Sequence, residues 1–428
     1  MFRFSLFLFL LVWTLAPTHG QETSRSFAQT LEKYRIQPIV GVQLWTTYTH
    51  NAEIFNAEAD AYRPVSDRLN VQLHRSRLGV KGQPYAQLKF NITGAFDFVG
   101  QDALAGTEGG LNNGGSPIFR LWNAHVSWQV NANSQALFVT VGYQPPPIGR
   151  ESLAPALRVP SMEKAWTQNY LRRHLVGTAP GRALGINLGG AVEVGEKLNV
   201  KYDGGVFTPT FTAFGGNSSG VSAAPLFVGR AVFQFGQPER PGYYLGHRVH
   251  YDGQRRGLSV AVAGARADRT DRWLENSAFG VDVLLNLGPF HLSGEWHRLE
   301  RVPIFSNPVP SATAQTGFLR AGYLMARANG TKLEPVVTYV FLEGADNDTD
   351  LRVAQAASIF AGTDRTLEFN LNYYLNANLK LNFAYTVRDG DTGTISDLGL
   401  PLNNFYAAPA VGAIRRGDWA GLGLVAVF

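Results

Sequence analysis

The last ten residues, Trp419-Ala420-Gly421-Leu422-Gly423-Leu424-Val425-Ala426-Val427-Phe428, place Leu422, Leu424, Ala426 and Phe428 on one face of a strand that ends with the chain. A strand sends successive side chains to opposite faces, so a period of two marks a sheet with one apolar face. The same period recurs upstream. Trp122, Ala124, Val126, Trp128 and Val130 oppose Asn123, His125, Ser127 and Gln129. Leu367, Phe369, Leu371, Tyr373 and Leu375 oppose Glu368, Asn370 and Asn372, and Leu379, Leu381, Phe383, Tyr385 and Val387 oppose Lys380, Asn382, Thr386 and Arg388. Each run has roughly the 9–11 residues with which a tilted strand crosses a bilayer.

An ordinary half-buried sheet also alternates, so the connections decide. They switch between tight turns, such as Gly288-Pro289 and Asn376-Ala377-Asn378, and long polar segments, such as 145–182, 343–364 and 389–417. Short turns on one side and long loops on the other describe a transmembrane barrel. Sixteen strands are expected, at 36–49, 71–81, 85–98, 119–130, 135–144, 183–194, 198–209, 226–236, 257–267, 277–287, 289–299, 315–326, 331–342, 365–375, 378–388 and 418–428. A further strand at 243–251 would make the number odd. Single-chain bacterial barrels are even, so 237–256 reads as one longer periplasmic connection, with eighteen strands as the runner-up. Backbone groups in lipid need internal partners, so the sheet must close, and closure at this size leaves an aqueous channel. Trp45, Tyr48, Trp122, Trp128, Tyr143, Tyr339, Tyr373 and Trp419 near strand ends are expected in interfacial girdles.

Residues 1–20, with Arg3 ahead of an apolar stretch and Thr18-His19-Gly20 at its end, read as a secretory signal. Residues 21–35 form a short periplasmic segment. Phe27, Leu31 and Tyr34 in it stand at helical spacing, with disorder as the alternative. The barrel domain is then 36–428. The chain has no cysteine, so no disulfide holds it. A net charge of +5 with acids and bases interspersed gives no reason for nucleic-acid binding. No cofactor or metal is implied: His247 and His250, or His291 and His297, lack a matching third ligand. An outer-membrane hydrolase is the rival from the enzyme class. His125 and Ser127 are its nearest imitation, and their spacing reflects only a shared face.

The candidate functional segment is 145–182, after the fifth strand. It carries Arg150, Arg158, Lys164, Arg172, Arg173 and Arg182 against Glu151 and Glu163. A loop this long can fold into the lumen, where concentrated positive charge attracts anions and repels cations. The rival role for each cation is an anchor that pairs with acids and holds the loop in place. On the second strand, Arg75, Arg77 and Lys81 share a parity opposite Leu78 and Val80 and should face the lumen.

Several of these stretches carry a resemblance: Gly142-Tyr143, Pro147-Ile148-Gly149-Arg150-Glu151, Met162-Glu163-Lys164, Pro180-Gly181-Arg182-Ala183-Leu184-Gly185 and the basic strand Leu73-His74-Arg75-Ser76-Arg77-Leu78-Gly79-Val80-Lys81-Gly82. At these residues the chain resembles the phosphate-selective porin O and P family of outer-membrane porins. The resemblance is clearest over 71–195. It implies a sixteen-stranded, trimeric porin with a constricting third loop, passing small hydrophilic solutes and anions through the outer membrane. The terminal aromatic Phe428 is similar to the signal by which such barrels engage their assembly machinery. Two departures stand out. Ala183 replaces the usual acid of the loop exit, and the expected lumen mixes acids (Asp97, Asp203, Asp282, Glu295, Glu334, Glu368) with bases (Lys89, Lys201, Arg230, Arg320, Lys332, Lys380, Arg388). That mixture favours a general or weakly anion-preferring porin over a dedicated phosphate or polyphosphate channel.

Overall fold

Alternating exposure along each strand sorts the chain into an apolar outer surface and a polar interior. The computed structural model describes residues 27–428 apart from 106–117, 178–179, 196, 210–220, 305–309, 392–404 and 409–410. The expected signal segment lies outside the described residues. A short helix, α1 (Phe27–Lys33), precedes the barrel.

Sixteen long strands follow among the described residues. The first eight are β1 (Gln37–His50), β2 (Arg68–Tyr85), β3 (Leu88–Ala95), β4 (Arg120–Gln129), β5 (Phe138–Gln144), β6 (Ala183–Val194), β7 (Leu198–Thr208) and β8 (Leu226–Gly236). The second eight are β9 (Arg256–Ala267), β10 (Trp273–Leu287), β11 (Phe290–Pro303), β12 (Ala312–Tyr323), β13 (Lys332–Glu343), β14 (Thr363–Tyr374), β15 (Leu379–Asp391) and β16 (Asp418–Val427). Each pairs antiparallel with its neighbours, and β16 returns to β1 in the register Gly41 opposite Val427 through His50 opposite Asp418. Phe428 completes this seam: its N–H donates to the Val40 carbonyl at 2.8 Å and its carbonyl accepts from Val40 N–H at 3.2 Å. Its ring stays 70% exposed on the outer surface.

Residues 237–255 form no strand, as the even count required, yet they do not stay at the rim. They turn up into the barrel, where the Tyr243 hydroxyl donates to Asp203 of β7 at 2.6 Å and His247 is buried. At the opposite rim, Glu53–Asn56, Ala61–Pro64, Phe405–Ala408 and Gly412–Arg415 make a separate four-stranded sheet that ties the first loop to the last.

Three of the expected girdle tryptophans point inward instead. Trp45 and Trp419 are 1% and 0% exposed and share the lumen parity of Gln43 and Gly421. Their rings, 5.6 Å apart, pack with Met162 of the third loop. Trp122 turns inward because of a bulge: the pairing of β3 with β4 steps from Thr93–Asn123 to Gly94–Leu121, leaving Trp122 as the extra residue. A second bulge between β1 and β2 skips His74, so both His74 and Arg75 are buried inside while Leu69 and Val71 before it face out. An extra residue resets the parity of a strand and re-aims its side chains. Tyr48, Trp128 and Tyr339 do lie exposed on the outer surface.

Deleting Phe428 removes two seam hydrogen bonds, each contributing about 1 kcal/mol, and the exposed ring. The yield of heat-modifiable folded barrel should fall several-fold, while channels that do insert keep the wild-type unit conductance in planar bilayers.

Candidate functional site: the inward third loop

Between β5 and β6 the chain crosses the lumen. It forms α2 (Arg150–Leu153), a single 3-10 turn at Ala156–Arg158, and α3 (Thr167–Leu175). Both polar side-chain groups and backbone of this loop are tied to strands all round the barrel. Met162 N–H donates to Asn370 of β14 at 2.8 Å, Asn372 donates to the Pro160 carbonyl at 2.5 Å, and Lys380 of β15 donates to the Val159 carbonyl at 2.9 Å. On the far side the His174 carbonyl accepts from Asn276 of β10 and Arg301 of β11 at 2.9 and 2.6 Å.

Charge pairs complete the anchoring. Arg150 is fully buried between Glu239 of the inward 237–255 segment (2.7 Å) and Asp282 of β10 (2.8 Å), and Asp282 also binds Arg230 of β8 at 2.6 Å. Burial opposes the charge on Arg150, but the two carboxylates outweigh it and raise its pKa. Glu151 pairs with Arg320 of β12 at 2.8 Å, and both are inaccessible to solvent. Burial pushes the Glu151 carboxyl up, and Arg320 more than offsets this, leaving it below the usual range. Glu163 is gripped by the two residues the β2 bulge sends inward: His74 at 2.7 Å, itself stacked on Trp45, and Arg75. Arg75 and His74 overcome burial and hold the Glu163 carboxyl at about 2.

The Arg150 and Arg320 pairs lie toward β8–β12, and the Glu163 pair lies at β2. Between the loop and β1–β4, a cavity of about 610 Å³ remains. Its lining holds eight lysines and arginines against two acids, Asp97 and Glu163. Both acids are already paired, Asp97 with Arg77 at 2.6 Å and Glu163 with Arg75. Three of the other six bond to neutral carbonyls inside the loop, and Arg158 bonds to one at the short-turn end. Lys164 donates to the Ala154 carbonyl and Arg172 to the Ser152 carbonyl, each at 2.8 Å, and Arg182 donates to the Pro180 carbonyl. A carbonyl fixes a cation's position without cancelling its charge, so these residues hold the loop and keep their charge at the cavity. Burial, and then Arg75, lowers the Arg172 pKa to about 9; burial, and then Arg172, holds the Lys164 ammonium well below the usual lysine value.

Of the residues singled out from sequence, Arg75, Arg77, Arg158, Lys164, Arg172, Arg173 and Arg182 converge on this cavity. Arg158 reaches toward the short-turn end, where it donates to the Ala377 carbonyl at 2.6 Å. Arg150 belongs to the anchor on the other side, and Lys81 is exposed at the end of β2, outside the cavity lining. Trp122 was misplaced by its parity: the guanidiniums of Arg77 and Arg182 lie 3.8 and 4.0 Å from its ring centre. Ala183 stands where the family's loop exit usually carries an acid, so the residue after Arg182 supplies it no counter-charge. Gly181 is needed there, because it has φ of +62° and a Cβ would meet Arg172 Cγ at 2.2 Å.

The geometry is that of a water-filled β-barrel narrowed by its third loop. A family model described as "Phosphate-selective porin O and P" matches residues 47–397. The chain belongs to that family. Among solved structures it is similar in fold to the anion-selective porin from Comamonas acidovorans, with 13% identity, 92% of this chain and 99% of that one covered, and a TM-score of 0.53. It is also similar to Pseudomonas putida OprB (10% identity, 94% and 96% covered, TM-score 0.54) and to Salmonella typhi OmpF in complex with daunomycin (13%, 92% and 97%, 0.53). No curated protein matches the chain.

Glu151→Gln leaves Arg320 buried without its counter-charge, a change that costs about 3 kcal/mol or more. The thermal midpoint of the barrel's heat-modifiable form should drop, and single-channel current should become noisier as the loop loosens. Arg320→Met with Glu151→Met together should recover much of the midpoint.

Proposed function

We propose that this porin passes small hydrophilic solutes passively across the outer membrane with a preference for anions. One observation carries the reading: the cavity beside the third loop holds a cluster of cations whose hydrogen bonds go to neutral carbonyls, while its two acids are already neutralised. Phosphate, named in the family's description, is then one of several anions this field concentrates. Arg supplies bidentate geometry for carboxylates and phosphates alike. The protein acts as a channel and not as an enzyme. It is exported by a signal at 1–20, handed to the barrel-assembly machinery through the strand ending in Phe428, and embedded in the outer-membrane lipid as a homotrimer.

In planar bilayers under a KCl gradient, the reversal potential should carry the sign of chloride preference. Neutralising Lys164, Arg172 and Arg182 together should move it toward potassium; an unmoved potential would reduce these residues to anchors. The preference should also depend on pH. Burial depresses the Lys164 pKa, so its charge is present at low pH and lost, as pH rises, earlier than for an ordinary lysine. Anion preference should therefore decline on alkalinisation, and Lys164→Arg should flatten that decline.

A further inference from the structure

The cavity beside the third loop is not lined by cations alone. The tip of the loop adds Leu153 and Leu157 to its lining. Leu157 seats on bare backbone: a Cβ added to Gly41 of β1 would lie 2.4 Å from Leu157 Cδ1 and 3.7 Å from Arg77 Cβ. The leucine methyl and the root of Arg77 thus face the same point. Chloride or phosphate would use the cations and make no use of these leucines.

Arg77 and Arg182 lie against the Trp122 ring, which holds both guanidiniums in place. Arg77 Nη1 is already on Asp97 and Ser76, so what Arg77 offers a further carboxylate is its other amine, Nη2. Two donors have no acceptor, Arg77 Nη2 and Arg172 Nε, although both are buried. A buried donor without a partner is costly, and an incoming carboxylate oxygen relieves that cost. At about 610 Å³ the cavity is of the size that takes small organic ligands, roughly 300–1,000 Å³.

The geometry points to small carboxylates with an apolar body, aryl or alkyl, as the solutes this constriction selects: carboxylate on the Arg77 and Arg172 edges, body on Leu153 and Leu157. This deepens the proposed anion preference and rests on it. No bond is made or broken; the solute is held briefly and released.

The test is block of KCl current through the full-length channel in planar bilayers by benzoate, with acetate as the probe that keeps the charge and lacks the body. Benzoate should reach half-block at a concentration about tenfold below acetate's, the scale expected for burying several extra carbons. Leu157→Asn, which keeps side-chain size and all charges, should shrink that ratio to about twofold while the chloride/potassium reversal potential stays put. An anion-selective channel that benzoate and acetate block alike overturns the inference and leaves the anion preference standing, and that comparison needs no variant. A ratio that survives Leu157→Asn also overturns it. A channel without anion preference removes the reading beneath it.

Discussion

Arg150 sits without solvent contact between Glu239 and Asp282, and through Asp282 it is joined to Arg230. That cluster ties four separate parts of the chain together: the third loop, the inward 237–255 segment, β10 and β8. A long loop inside a wide barrel loses conformational entropy when it is ordered. An apolar cluster of Tyr170, Leu171 and Leu175 of α3 with Phe318, Leu342 and Phe360 offsets part of that cost, and buried charge pairs and carbonyl hydrogen bonds add to it. The desolvation cost of such pairs is high, so each must be geometrically complete. The result is a loop pinned across the lumen, from β1 and β2 to β10 and β14, with the cavity between the loop and β1–β4 left beside it.

The pinning also sorts charge. Acids of the lumen are used where the loop is held: Asp282 with Arg150 and Arg230, Glu151 with Arg320, Glu163 with Arg75. The cavity beside the loop keeps the surplus of Lys164, Arg172 and Arg182, so a lumen that is electrically mixed along the sequence is locally basic in space.

Much of the barrel was legible from period and punctuation alone. Sixteen strands, the β1–β16 seam and the absence of a strand at 243–251 all follow from alternation, even parity and turn residues, because closure in lipid allows few alternatives. The misses share a physical cause. Trp45 and Trp419 are apolar, yet they face the lumen to receive Met162, so hydropathy assigned them to the wrong side. The bulges at His74 and Trp122 shift parity by one residue. The signal was present: the apolar positions change from Leu69, Val71 and Leu73 to Leu78 and Val80, and from Leu121 to Ala124 and Val126. The cations of the third loop could be named, but their division into anchor (Arg150) and lining (Arg172, Arg182) depends on partners far away in sequence, such as Glu239. So does the cavity's leucine wall, which exists only because Gly41 admits Leu157.

The central claim is that the cavity between the third loop and β1–β4 concentrates positive charge, with eight lysines and arginines in its lining against two acids that are already paired. Bromide soaked into crystals of the protein, located by anomalous diffraction, tests it most directly. The account predicts bromide peaks beside Arg77, Arg172 and Arg182 and none beside Arg150 and Arg230. Peaks spread evenly around the lumen, or gathered at the Arg150–Arg230 cluster, would contradict it.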